Sequence, residues 1–243
     1  MKKILTALIF SLFLSCKENS IDQILTDGNR LVEIKSNGKT YTTFEYQNNK
    51  LIKENNYAFC DNPSDELFYE YQGEKLIQVK TIMRGFYSNS SKICDPNSEG
   101  IRTTDVLEYE NNRITRITRS LSTAAISTFF YNSNGRIERH VSSDKSGKIY
   151  TETTYKYDSR GNLIEENGQY GKTTYEYDNK VNPNYLIKSR LHSISAFSTS
   201  PNNVIKATGA SNFERKITEY NERNLPVKVV ENNGKLILEY IYQ

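Results

Sequence analysis

Thr153–Tyr177, TTYKYDSRGNLIEENGQYGKTTYEY, decides the fold. It holds two Tyr-x-Tyr-Asp runs twenty residues apart, Tyr155-Lys156-Tyr157-Asp158 and Tyr175-Glu176-Tyr177-Asp178 (the last Asp just beyond the quoted stretch). Thr153, Tyr155 and Tyr157 fall on one face of an extended strand, with Thr154 and Lys156 on the other, the period of two that strands require. Thr and Tyr suit a pleated, half-buried surface. Asp158 opens a turn in which its short side chain can accept from a backbone N–H just ahead, and Gly161 supplies the positive φ of the reversal. Leu163 and Ile164 begin the return strand. The unit is a hairpin.

Loose copies of this unit fill the chain on both sides. Reversals are expected at Asn37-Gly38, Asn48-Asn49, Gly73-Glu74, Asn111-Asn112, Asn134-Gly135, Ser146-Gly147, Arg160-Gly161 and Asn233-Gly234. Asn-Gly between strand-like runs is the strongest short hairpin signal. Most turns follow an aromatic or apolar strand end, as in Phe44-Glu45-Tyr46, Tyr69-Glu70-Tyr71 and Leu107-Glu108-Tyr109. A basic or polar residue and an aliphatic come next, as in Lys50-Leu51, Lys75-Leu76, Arg113-Ile114 and Arg136-Ile137. The pattern predicts an all-β protein of roughly sixteen strands in an antiparallel up-and-down meander. Open sheets rarely exceed about ten strands without curling, splitting or closing. A curled or closed, barrel-like sheet is therefore expected.

The amino terminus reads differently. Met1-Lys2-Lys3 precedes an apolar run, Ile4–Leu14, too short to span a bilayer but suited to the core of an export signal. Phe13-Leu14-Ser15-Cys16 resembles the lipobox of bacterial lipoproteins, which implies cleavage before Cys16 and acylation of that residue. Residues 1–15 are thus read as signal, 16–26 as lipidated cysteine and tether, and 27–243 as one repeat-built domain. Without residues 1–15 the chain has 30 basic residues (32 less Lys2 and Lys3) against 29 acidic ones. That balance, with acids such as Glu45, Glu70, Glu108 and Glu176 among the aromatics, argues against a nucleic-acid surface. Outward strand positions are Lys, Glu, Arg and Thr, unlike the apolar belt of a membrane-spanning barrel.

The Tyr155, Tyr157, Asp158, Gly161, Leu163 pattern resembles the YD repeat of the RHS family, whose strands wind large β shells. The whole chain resembles a group of Bacteroidota lipoproteins with a porin-like β fold. That likeness is carried by Tyr175–Lys180 with Asn182-Pro183, and by Ser200-Pro201-Asn202-Asn203-Val204. It implies an outer-membrane lipid anchor on the periplasmic or the surface side.

Chemistry-bearing motifs are few. The two histidines, His140 and His192, form no metal-ligand or nucleophile pattern with the three cysteines. His140 is expected to serve within a strand. Asp158 and Asp178 are assigned to turns, and the tyrosines mainly to cross-strand packing. No cofactor or metal is implied. In an exported chain Cys60 and Cys94, in the matching contexts Cys60-Asp61-Asn62-Pro63-Ser64 and Cys94-Asp95-Pro96-Asn97-Ser98, are expected to form a disulfide. Residues 178–203 interrupt the repeat, and they are expected to cap an open end of the barrel or to act as a ligand lid. The expected function is a non-enzymatic binding or scaffold module of the cell envelope, with a glycan or an envelope protein as partner. The alternative is a glycan hydrolase working in a tyrosine-lined groove.

Overall fold

The computed structural model describes residues 30–57, 61–84, 99–121, 125–187, 189, 194–231 and 234–243. Sixteen strands follow one another around the wall: β1 (Leu31–Ser36), β2 (Lys39–Gln47), β3 (Lys50–Asn56), β4 (Asp65–Gln72), β5 (Lys75–Met83), β6 (Ile101–Glu110), β7 (Arg113–Arg119), β8 (Ile126–Tyr131), β9 (Ile137–Ser143), β10 (Ile149–Tyr157), β11 (Leu163–Gly168), β12 (Gly171–Val181), β13 (Asn202–Gly209), β14 (Phe213–Tyr220), β15 (Pro226–Glu231) and β16 (Leu236–Tyr242). Each pairs antiparallel with the next, and β1 pairs with β16, from Leu31 opposite Tyr242 to Ser36 opposite Leu238. The sheet is a closed barrel, as the strand count requires of a meander with no other way to hide its edges.

The turns form as their residues dictate. Asn37 and Gly38 have φ of 49° and 78°, Asn48 and Asn49 of 48° and 63°, and Asn111 and Asn112 of 49° and 61°. Positive φ at both central residues gives these tight turns the right-handed twist of the flanking strands. Wider turns are closed by an Asx side chain. Asp158 Oδ1 accepts from the N–H groups of Gly161 (2.7 Å) and Asn162 (2.8 Å). Asn132, Asp144 and Asn221 hold their turns in the same way.

Curvature comes from a repeated irregularity. Tyr46 faces Leu51 while Glu45 faces Lys53, so Ile52 is an extra residue in its strand. The same shift recurs at Tyr71, Tyr109, Tyr131, Tyr157 and Tyr220, leaving Ile77, Thr115, Glu138, Ile164 and Val227 unpaired on those hairpins. Each is a β-bulge, which bends its strand and sharpens the local twist. These six bulges, each beside a tyrosine near a strand end, help roll the meander into a barrel.

The inner face is apolar. Leu31, Phe44, Leu51, Tyr69, Leu76, Val79, Leu107, Ile117, Phe129, Val229 and Tyr240 pack in one cluster with Ile187, which belongs to no strand. The outer face carries cross-strand ion pairs, among them Lys53–Glu66 (2.9 Å), Lys156–Glu165 (2.8 Å) and Lys206–Glu176 (3.0 Å). Exposed pairs of this kind contribute at most about 1 kcal/mol each, so burial inside the barrel carries most of the stability.

Between β12 and β13 the chain leaves the wall. The sequence predicts the departure at Asp178, but β12 runs on to Val181. Two single-turn helices follow, α1 (Pro183–Leu186), capped by Asn182, and α2 (Ala196–Thr199), capped by Ser195. Leu186, Ile187 and Ala196 are buried, Ile187 in the main core cluster and Ala196 in a second one with Tyr155, Leu163 and Val204, so the described parts of the segment pack inside the barrel. It is an internal plug rather than an end cap. Asn182 staples it, its Nδ2 donating to the carbonyls of Phe197 (2.6 Å) and Ser200 (2.8 Å).

Candidate ligand chamber

Two neighbouring hairpins splay apart near the bulges. Pairing of β9 with β10 stops at Arg139 opposite Thr154, so the Ile137 carbonyl has no strand partner on that side. The Tyr157 hydroxyl closes the gap, donating to it at 2.8 Å. The same bond joins Tyr46 to Leu31 (2.9 Å), Tyr71 to Leu51 (2.9 Å), Tyr109 to Leu76 (2.7 Å), Tyr131 to Ile114 (2.6 Å) and Tyr242 to Pro226 (2.7 Å). Tyr177 reaches Leu163 likewise. A ring of tyrosines therefore circles one end of the barrel. Burial pushes the Tyr157 phenol up to about 12, and it raises Tyr71, Tyr109 and Tyr131 as well. The ring is neutral at ordinary pH.

A cation sits over five tyrosines of the ring, and another over Tyr220. Arg30 lies 5.9 Å from the centre of the Tyr46 ring, Lys50 5.6 Å from Tyr71, and Lys75 5.6 Å from Tyr109. Arg113 lies 5.4 Å from Tyr131, Arg136 5.5 Å from Tyr157, and Lys180 6.0 Å from Tyr220. These are cation–π distances. The guanidinium groups of Arg113 and Arg136 lie flat on Gly135 and Gly161, in the space that a Cβ would fill.

Inside this ring, above the plug, is a chamber of about 670 Å³. Its wall is made by Tyr71, Tyr109, Tyr131, Tyr157 and Phe129, and the plug contributes Tyr185, Ser189 and Thr199. Lys75, Arg113 and Arg136 stand on its rim. Among the described residues the single carboxylate on the lining is Glu74, which projects into solvent and pairs with Lys50 at 2.7 Å. A second chamber, of about 540 Å³, lies toward the other end and contains buried Glu54, which accepts from the Tyr69 hydroxyl at 3.0 Å. Arg215 and Tyr240 share that lining.

Cys16, Cys60, Cys94 and His192 lie outside the described residues. The strand ends flanking the two cysteine loops are neighbours, however: Asp65 pairs with both Asn56 and Met83, and Met83 pairs with Ile101. Both loops thus spring from the end opposite the tyrosine ring. His140 stacks on its cross-strand partner Phe129 (5.1 Å between ring centres), and burial pushes its pKa down. Asp178 Oδ1 accepts from the N–H groups of Lys180 and Asn203, and Oδ2 from Asn203 Nδ2 and the Tyr220 hydroxyl. Asp158 is bound up in its turn, as the sequence predicts, whereas Asp178, expected in a turn, lies within β12 and ties that strand to β13 and β14.

The rim cations escaped the sequence reading, which placed such residues on a solvated face. Their signal is positional: Arg30, Lys50, Lys75, Arg113 and Arg136 each stand immediately before the aliphatic that opens an odd-numbered strand.

No family model matches the chain, and no curated protein matches it. Solved structures are similar to it. A porin-like protein from Bacteroides uniformis ATCC 8492 has a TM-score of 0.45 at 12% identity, over 89% of this chain and 99% of that one. A porin-like protein from Bacteroides vulgatus ATCC 8482 has a TM-score of 0.40 at 12% identity, over 88% and 99% of the two chains.

Proposed function

We propose that this chain is a non-enzymatic binding module of the cell envelope, held at the outer membrane by a lipid on Cys16, which takes a glycan into the tyrosine-walled chamber. The observation that carries the reading is the chamber itself. Its volume falls in the range of small-molecule sites, roughly 300–1,000 Å³, and its walls combine aromatic faces with a few polar groups. Ring faces set into a rigid wall suit the apolar faces of sugars. The charged outer face of the barrel fits a water-facing body on a lipid tether better than a membrane-spanning wall.

The hydrolase alternative is less well supported. Glycoside cleavage ordinarily uses two carboxylates facing one another across the substrate. The tyrosine-walled chamber has only the ion-paired Glu74, and the opposite chamber has Glu54. A glycan array probed with the full chain in neutral detergent tests the proposal. Retention of defined oligosaccharides, lost on substituting Tyr109 and Tyr131 by Ala, is the expected result. Release of reducing ends from a bound sugar would favour the hydrolase.

A further inference from the structure

Five of these cations, Arg30, Lys50, Lys75, Arg113 and Arg136, occupy one repeated position, and together with Lys180 they divide into two groups. Three have their donors engaged. Arg30 donates to the Asn49 side chain, Lys50 to the Gly73 carbonyl (2.6 Å) and to Glu74 (2.7 Å), and Lys180 to Asn224 Oδ1 (2.7 Å). The other three do not. Among the described residues Lys75 and Arg113 have no hydrogen-bond or carboxylate partner, and Arg136 has only a long contact, 3.4 Å, to the Asp158 carbonyl. Those three are consecutive around the wall, at the starts of β5 and β7 and just before β9, and they are the three that line the large chamber.

A latch that only tied hairpins together would have no reason to keep its donors free on one arc alone. Alternate strands stand about 10 Å apart, so the arc presents three cations at that spacing over aromatic walls. Resting on the tyrosine faces, the cations keep fixed positions while their N–H groups stay open, which reduces the ordering cost of binding.

We propose that the chamber binds an acidic glycan, an oligosaccharide whose carboxylate or sulfate groups are spaced to meet Lys75, Arg113 and Arg136. The inference rests on the glycan reading above and names the class of sugar. The guanidinium groups take the anions as paired N–H donors, Lys75 takes one as a point charge, and the tyrosine rings pack against the sugar between them.

The test is calorimetric titration of the full chain, in neutral detergent, with short oligogalacturonides and with the matching neutral galacto-oligosaccharides. The acidic series is expected to bind at least tenfold more tightly, with a preference that fades between about 0.01 M and about 1 M salt as screening shortens. The double substitution Arg113→Gln/Arg136→Gln should abolish the preference, and Arg113→Lys alone should retain it. Lys180→Gln removes a cation over Tyr220, away from the chamber, and controls for lost stability. It should lower the melting temperature without altering the preference. Equal binding of both series would overturn the acidic assignment while leaving the glycan reading standing. Binding of neither series would overturn both, and so would inorganic sulfate displacing the acidic sugars at equal concentration, which would mark a site for the bare anion.

Discussion

The Tyr157 hydroxyl and the Ile137 carbonyl meet at 2.8 Å across two strands whose ladder has already parted. The bond stands in for a missing backbone donor at a place where bulges force neighbouring hairpins to diverge. Tyr157→Phe leaves that carbonyl without its partner, at a cost of about 1–3 kcal/mol. Urea unfolding should show the loss as a lower midpoint at unchanged slope. Tyr150→Phe, on an exposed side chain of β10, should fall within about 0.5 kcal/mol of the parent.

Base should unfold the barrel sharply. In the folded chain burial holds the phenols of Tyr71, Tyr109, Tyr131 and Tyr157 above their usual value of 10.0, Tyr157 at about 12, while the unfolded chain ionises them near 10. A raised folded pKa means that the contribution is fully present below pH 10 and is lost as pH climbs toward the folded value. Phenolate absorbance followed together with circular dichroism should rise through this window in step with unfolding. Exposed tyrosines such as Tyr170 ionise first without unfolding, so a phenolate fraction large enough to include the ring tyrosines in a still-folded barrel would contradict the ring as described.

Two glycines separate backbone strain from loss of a latch. Gly147 has φ +89° with nothing within 4 Å of an added Cβ, so Gly147→Ala costs only the strained backbone, on the order of 1 kcal/mol. Gly161 has φ +99° and also lies under the Arg136 guanidinium. Gly161→Ala should cost measurably more in thermal unfolding. Combining it with Arg136→Ala should recover the excess, because the side chain in the way is gone.

Asn182 and Ile187 both anchor the plug. Asn182→Ala frees two carbonyls and the N–H of Asn184, which donates to Asn182 Oδ1 at 3.0 Å. Its expected cost is about 2–4 kcal/mol. Ile187→Ala opens a void at the centre of the cluster, also about 2–4 kcal/mol. Deleting Tyr185–Thr199 should destabilise the barrel more than either substitution. A deletion variant that melts like the parent but no longer binds ligand would make the segment a lid instead.

Cys60 and Cys94 are expected to be bridged in the exported protein. Their loops leave the same end of the barrel from adjacent strand pairs. In the chain-entropy account a bridge across such a span is worth about 4 kcal/mol. Non-reducing mass spectrometry checks it, and free thiols at both positions would refute it. Cys16→Ala should separately abolish fatty-acid labelling and release the chain from membranes.

Strands and turns were legible because they are local. The alternation in Thr153–Tyr157 and the Asn-Gly and Asn-Asn pairs write their conformations directly into the chain. Closure was legible by elimination, from the number of strands. The bulges were not, because Leu51-Ile52 and Leu163-Ile164 look like ordinary strand starts, and only the register of the partner shows which aliphatic is extra. The plug's path was hidden for a related reason. Leu186, Ile187 and Ala196 announce burial without saying whether the apolar surface awaiting them is inside the wall or across its mouth. The chamber depended on both unknowns, and its cations read as solvated surface because their distinction lies in which partners they lack.

The seam at β1 and β16 closes the ring through bonds like those of any other hairpin, down to Arg30 and Gln243, each of which donates its N–H to the other's carbonyl. Every other neighbour pair can form as the chain is made, but this one needs residues about two hundred positions apart. Until it forms, the ribbon has two bare margins of complementary polarity, each able to accept the opposite margin of another copy. The last strand is therefore what decides between a monomer and a polymer. A chain ending before Leu236 would lose more than one strand in sixteen: its β1 and β15 would stand as open edges, and the same pairing chemistry that seals the barrel would run on from molecule to molecule.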